Sequence, residues 1–203
     1  MKYLFLLLSV ICTLLLTHQS HAATLNIENG QLMGAYNVLV DGAYYDVKFK
    51  DGKGTDLFYK NGGWVFTFLT EGGAKAASEA LMNQVFIEDA GYADYDNYSE
   101  RTNGIEFEWG GNIYTPYECF TAGELFKGSA FFNESLLSNT NGKVDSVAPL
   151  GYNFYPDSDQ DFASYQSWVY AQWSTPVPIP STIMLLGTGL FIIVGINRKR
   201  INQ

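Results

Sequence analysis

Cysteine and histidine are nearly absent from this chain of 203 residues, with two of each. Both histidines, His18 and His21, lie in an apolar N-terminal stretch that reads as removable, which leaves Cys119 as the sole cysteine beyond it. Without a partner His or a second Cys, no Ser-His or Cys-His nucleophile, thiolate metal cluster or disulfide can be assembled in the rest of the chain. Cys119, between Glu118 and Phe120 in a strand-like run, reads as a small buried apolar side chain. Basic residues are also few, 12 against 21 acidic ones, and four of the 12 are Lys2, Arg198, Lys199 and Arg200 at the termini. The middle therefore carries 8 basic and 21 acidic residues, a net charge of −13. Such a body repels polyphosphate, so nucleic acid is excluded as a partner. Uninterrupted apolar runs are missing from the body too and are confined to the two ends.

At the N-terminus, Met1-Lys2 precedes the apolar run Tyr3 to Leu16, too short to span a bilayer and of the length expected for a secretory signal. Ser20 and Ala22 place small residues at the two subsites read by signal peptidase, which predicts cleavage between Ala22 and Ala23. Cys12 follows the bulky Ile11 and sits too early to be a lipid-modified cysteine. At the C-terminus, residues 181–196 are apolar and uncharged, and Arg198-Lys199-Arg200 follows almost at once. The 17 residues from Pro180 to Ile196 are the lower limit for a transmembrane helix, and the basic cluster places the C-terminus on the cytoplasmic side. Pro176, Pro178 and Pro180 remove backbone donors and hold the preceding segment extended just outside the membrane.

The order Val177-Pro178-Ile179-Pro180-Ser181-Thr182, a short Gly-containing apolar helix, then Arg198-Lys199-Arg200 resembles the PEP-CTERM sorting signal of exported bacterial proteins. The usual Glu between the prolines is Ile179 here. The resemblance implies recognition by exosortase, a membrane-embedded cysteine transpeptidase, with transfer to the cell surface or extracellular polysaccharide matrix. A stiff linker to a permanent anchor is the alternative, and the sequence leaves open whether and where the tail is cut. The implied organisation is a signal peptide (1–22), an exported β-rich domain (23–175) and a sorting tail (176–203).

The body alternates strand and turn signals. Strands are expected at Thr24 to Glu28, Gln31 to Val40 and Tyr45 to Lys50, separated by the hairpin pairs Asn29-Gly30 and Asp41-Gly42. Further strands are expected at Trp64 to Leu69, Ile105 to Trp109, Ile113 to Phe120, Ser129 to Leu137 and Gln166 to Trp173. From Ala74 to Ile87, Ala77, Ala80, Leu81 and Val85 form one stripe with Lys75, Glu79 and Asn83 outside it, which predicts one amphipathic helix. The expected class is α+β, a mostly antiparallel sheet or sandwich with one packed helix. Four stretches, Gly30 to Ala35, Val40 to Gly52, Ala77 to Phe86 and Trp168 to Trp173, resemble a domain of no known activity that recurs among PEP-CTERM proteins. Its members often carry a Cys after the Asp-Gly turn, where this chain has Lys53-Gly54.

Two carboxylate patterns remain. Glu106 and Glu108 would share a strand face, as an acid and a base of a glycan hydrolase could, although the alternation with Ile105, Phe107 and Trp109 predicts a solvated face without any function. Asp157, Asp159 and Asp161 have a spacing compatible with Ca²⁺, but Phe162 replaces the turn Gly and Trp168 stands where an EF-hand needs Glu. A solvated acidic loop that caps the next element is expected instead. Trp64, Trp109, Trp168 and Trp173 supply either core or a platform for sugar rings. The sequence thus predicts a non-enzymatic, cofactor-free exported protein at the cell surface or in the matrix, associated with extracellular polysaccharide. Signal peptidase and exosortase would be its processing partners. A carbohydrate-binding module and a carboxylate-dependent glycan hydrolase remain the alternatives.

Overall fold

The computed structural model describes residues 22–87, 94–121, 130–141, 144–149 and 158–176. The expected signal run, Val177-Pro178-Ile179-Pro180-Ser181-Thr182, the 181–196 helix and Arg198, Lys199 and Arg200 lie outside them. Among the described residues no helix is long and apolar enough to cross a membrane.

Two Asx-Gly turns start the fold. Asn29 and Gly30 take φ of 53° and 83°, and Asp41 and Gly42 take 48° and 82°, the left-handed pairs that close two-residue hairpins. They join β1 (Thr24–Glu28), β2 (Gln31–Val40) and β3 (Ala43–Lys50) into the expected meander. Within β2 the buried apolar side chains Leu32, Ala35, Val38 and Val40 are spaced three, three and two apart, not strictly by two. Register shifts against both neighbours absorb the difference, and at one of them Asn37 takes φ 57° with its N–H donating to the Asp46 carboxylate at 3.1 Å.

Then come β6 (Gly111–Thr121), β7 (Ala130–Asn139), β8 (Ser146–Pro149) and β9 (Trp168–Ser174), which complete a seven-stranded sheet in the order β1-β2-β3-β9-β6-β7-β8. Every pairing is antiparallel except β6 with β9. The class is therefore the expected β-rich α+β. β8, on the outer edge, carries no strand signal in the sequence, being only four residues long.

The helix α2 (Glu71–Gln84) starts three residues before the expected Ala74, because the Thr70 side chain accepts from the Gly73 N–H at 3.1 Å and caps it. Its stripe is the expected one. Ala74, Ala77, Ala80 and Leu81 are buried against one sheet face with Leu32, Phe49, Ile113, Leu137 and Val169. At its end the Gln84 amide bonds both the N–H and C=O of Leu39, acting as a strand neighbour for β2.

The other face is also covered. A short helix α1 (Gly54–Phe58), the hairpin β4 (Tyr59–Lys60) and β5 (Gly63–Trp64), and a 3-10 turn at Phe162–Ser164 lie over Tyr114, Phe132 and Tyr170. Phe162 stacks on Tyr170 at 4.1 Å with planes 4° apart, and Phe58 meets Phe132 and Tyr170 edge-on.

Two expected strands are corrected. Residues 65–69 keep a strand's alternation, with Phe66 and Phe68 turned inward and Val65 and Leu69 exposed, but beyond Trp64 they pair with nothing in a ladder. Residues 105–109 form a loop in which only Ile105 is buried, and the N–H groups of Glu106 and Phe107 both donate to the Gln166 carbonyl. Phe107 and Trp109 are exposed, so the alternation there does not mark an inner and an outer face.

Candidate functional site

β6 and β9 run side by side over three residues only, Asn112-Ile113-Tyr114 against Trp168-Val169-Tyr170. Two residues on, β6 reaches Pro116, which has no N–H to extend a ladder, and its register against β7 shifts between Pro116 and Glu118. β9 continues to Ser174 in register with β3. The sheet therefore forks. Residues 65–68 cross the fork, held by the Thr67 hydroxyl donating to the Trp173 carbonyl at 2.6 Å, while the Gln172 amide donates to the Leu57 carbonyl at 3.2 Å. Between them lies a cavity of about 300 Å³. Phe58, Phe66 and Pro116 are among its apolar lining, and Lys48 and Lys60 are its charged residues among those described.

Lys48 stands opposite Gln172 in the β3–β9 register, and Lys60 is presented by the tight Asn61-Gly62 turn, whose φ values are 53° and 83°. Both lysines are exposed, and neither makes an ion pair among the described residues. Among the described residues no Asp or Glu lines the cavity.

Behind the aromatic cluster sits Glu134. It shares a face of β7 with Phe132 and Leu136, is 1 % exposed, and its carboxyl oxygens have no hydrogen-bond partner among the described residues. Its register partner is Pro116, which offers no side-chain donor. Burial pushes this carboxyl well above the ordinary glutamate range. The Tyr114 hydroxyl is raised as well, by burial first and by the Glu134 charge second.

The residues singled out in sequence are dispersed. Glu106 and Glu108 are exposed, as expected, but on a loop and not on a strand, so the shared strand face that an acid–base reading of them would need is absent. Asp51, Glu106 and Asp161 are near neighbours: burial raises the Asp51 pKa, the Gly52 N–H opposes this, and the Asp161 and Glu106 charges raise it further. Asp159 accepts from the Thr55 hydroxyl at 2.9 Å. Asp161 caps the 162–164 turn by accepting from the Ala163 N–H at 3.1 Å, the capping role expected of that loop. Asp157 lies outside the described residues. Among the described residues no three His, Cys, Asp or Glu side chains are grouped to hold a metal ion.

Cys119 is half-buried against the aromatic cluster, and burial aided by the Glu118 carboxylate pushes its thiol up to about 11, away from the thiolate form. Of the tryptophans, Trp173 is core, Trp64 and Trp168 are half-buried, and Trp109 is 73 % exposed. Tyr165 stacks on Trp168 at 4.6 Å with planes 8° apart.

Ala22 is exposed and Ala23 packs partly against the core just before β1. Sequence reasoning passed over Lys48, Lys60 and Glu134. The first two carry no signal, because a turn and a register bring them together. Glu134 carries none either: Asn133, Glu134 and Ser135 are polar in succession, and the faces Phe131-Asn133-Ser135-Leu137 and Phe132-Glu134-Leu136 are equally apolar, so period alone does not mark it as buried. Compared with protein-family models, curated proteins and solved structures, the chain finds no match.

Proposed function

We propose that this is a non-enzymatic exported protein, carried across the inner membrane by its N-terminal signal, anchored by its C-terminal helix and sorted by an exosortase system to the cell surface or polysaccharide matrix. The observation that carries the reading is the tripartite tail, Val177-Pro178-Ile179-Pro180-Ser181-Thr182, the apolar 181–196 stretch and Arg198-Lys199-Arg200. The position of the body agrees with it. β1 begins at Thr24, directly after the expected cleavage site at Ala22 and Ala23, and β9 ends at Ser174, before the first tail proline.

The test is intact-mass measurement of surface-extracted protein from a host with its own exosortase. Loss of residues 1–22 and of the segment from about Pro180 is the expected result. A mass that includes Arg200 leaves a permanent anchor, and an active cytoplasmic reporter fused near Gly142 removes the export reading.

A second reading, a carbohydrate-binding body, is favoured by the cavity at the fork and by the exposed aromatic surface at Trp109 and at Tyr165 on Trp168. A glycan hydrolase finds no such support, since Glu106 and Glu108 are exposed and not aligned on one face.

A further inference from the structure

We propose that the cavity at the fork of β6 and β9 binds an acidic saccharide, with a carboxylate-bearing pyranose ring held between Lys48 and Lys60. Charge selects the ligand first. In a chain of net charge −9 the described residues of the lining bring two ammonium groups and no carboxylate. Neither lysine is neutralised by an ion pair among the described residues. An anion that enters a cavity lined by both ammonium groups gains charge-assisted hydrogen bonds from them.

Shape and wall chemistry select next. A cavity of about 300 Å³ is at the small end of ligand sites. Its apolar side is built from Phe58 and Phe66, with ring centroids 5.6 Å apart, and Pro116. Such a side takes the C–H face of a sugar ring. Thr67, Gln172 and Ser174 add polar residues to the lining. Thr67 and Gln172 already donate to the Trp173 and Leu57 carbonyls, which leaves their side-chain oxygens free to accept. An anion without hydroxyls would leave that polar wall unused, and a neutral sugar would leave the lysines unused.

The site is built before any ligand arrives. Lys60 stands on a two-residue turn, Lys48 on a central strand, and the crossing segment is tied down at Thr67. Ordering cost on binding is therefore limited to the two lysine side chains. The choice of a saccharide over another hydroxylated carboxylate rests on the polysaccharide association proposed above, whereas the preference for an anion rests on the cavity alone.

The test is titration of the full chain, purified in mild non-ionic detergent, with digalacturonate, its methyl ester and acetate, followed by calorimetry. Digalacturonate should bind, the uncharged methyl ester at least about tenfold more weakly, and acetate not measurably. Lys48→Gln and Lys60→Gln should each weaken binding about fivefold, and the double variant more than tenfold, with unchanged melting temperatures because both side chains are exposed. Raising salt from about 0.05 to about 0.5 M should weaken it comparably.

Equal binding of the ester overturns the selection by charge. Binding that survives the double lysine variant places the ligand elsewhere and overturns the site. If no saccharide binds, the cavity proposal fails while the intact-mass test of export stands untouched, so the two failures are told apart.

Discussion

Replacing the buried carboxyl of Glu134 by an apolar side chain of similar length should stabilise the protein, and increasingly so as pH rises. Glu134 is 1 % exposed, lies between Phe132 and Leu136 on one face of β7, and has no hydrogen-bond partner among the described residues. A neutral polar group buried without a partner costs about 1–3 kcal/mol, and Met restores dispersion contacts without polar atoms, so Glu134→Met should gain about that much below pH 4.5. Above that pH a second effect adds. The folded protein holds the proton while the unfolded chain releases it, because burial raises the folded pKa above the ordinary value of 4.5. Stability tied to this group is fully present below the unfolded pKa and is lost as pH rises toward the folded one, at up to about 1.4 kcal/mol per pH unit. Urea unfolding followed by tryptophan fluorescence at about pH 4, about pH 5.5 and about pH 7 measures both effects. Glu134→Gln separates them, abolishing the slope while keeping a buried polar group. A Glu134→Met variant less stable than wild type at neutral pH, or one with the same pH slope, would refute the reasoning.

Three further outcomes are expected. Asp145 is pushed up to about 6 by burial and by the neighbouring Asp96 carboxylate, against the Thr140 N–H that bonds it at 2.9 Å. Its contribution is thus present below pH 3.8 and lost as pH rises through about 6. Because the group is only partly enclosed, Asp145→Asn should remove no more than about 1 kcal/mol of that dependence, read in a Glu134→Met background to separate the two slopes. Gly34 sits at φ 154° where an added Cβ would strike the Val47 carbonyl of β3, so Gly34→Ala should cost about 3 kcal/mol or more and lower the melting temperature by roughly 10 °C. Thr70→Ala removes the cap on the Gly73 N–H and should cost about 1 kcal/mol by thermal melting, with most of it restored in Thr70→Asp.

Local rules account for the parts of this protein that were legible in its sequence. The Asn29-Gly30 and Asp41-Gly42 turns prescribe their own left-handed conformations, so β1, β2 and most of β3 fall where residue type places them. The Ala77, Ala80, Leu81 stripe prescribes α2 in the same way.

The tertiary structure decided what depends on partners distant in the chain. Residues 65–69 have a strand's alternation, yet a ladder needs a neighbour with free donors and acceptors, and what they meet is the fork left where β6 turns away at Pro116. Residues 105–109 alternate equally well, but two of their N–H groups converge on one carbonyl, that of Gln166, and the segment loops outward. The same fork brings Lys48 of β3 and Lys60 of a hairpin to one cavity, and the same pairing buries Glu134 opposite a proline. Period and propensity register which side of an element is apolar. Which elements stand side by side, and so which charges share a cavity, is set by long-range register alone.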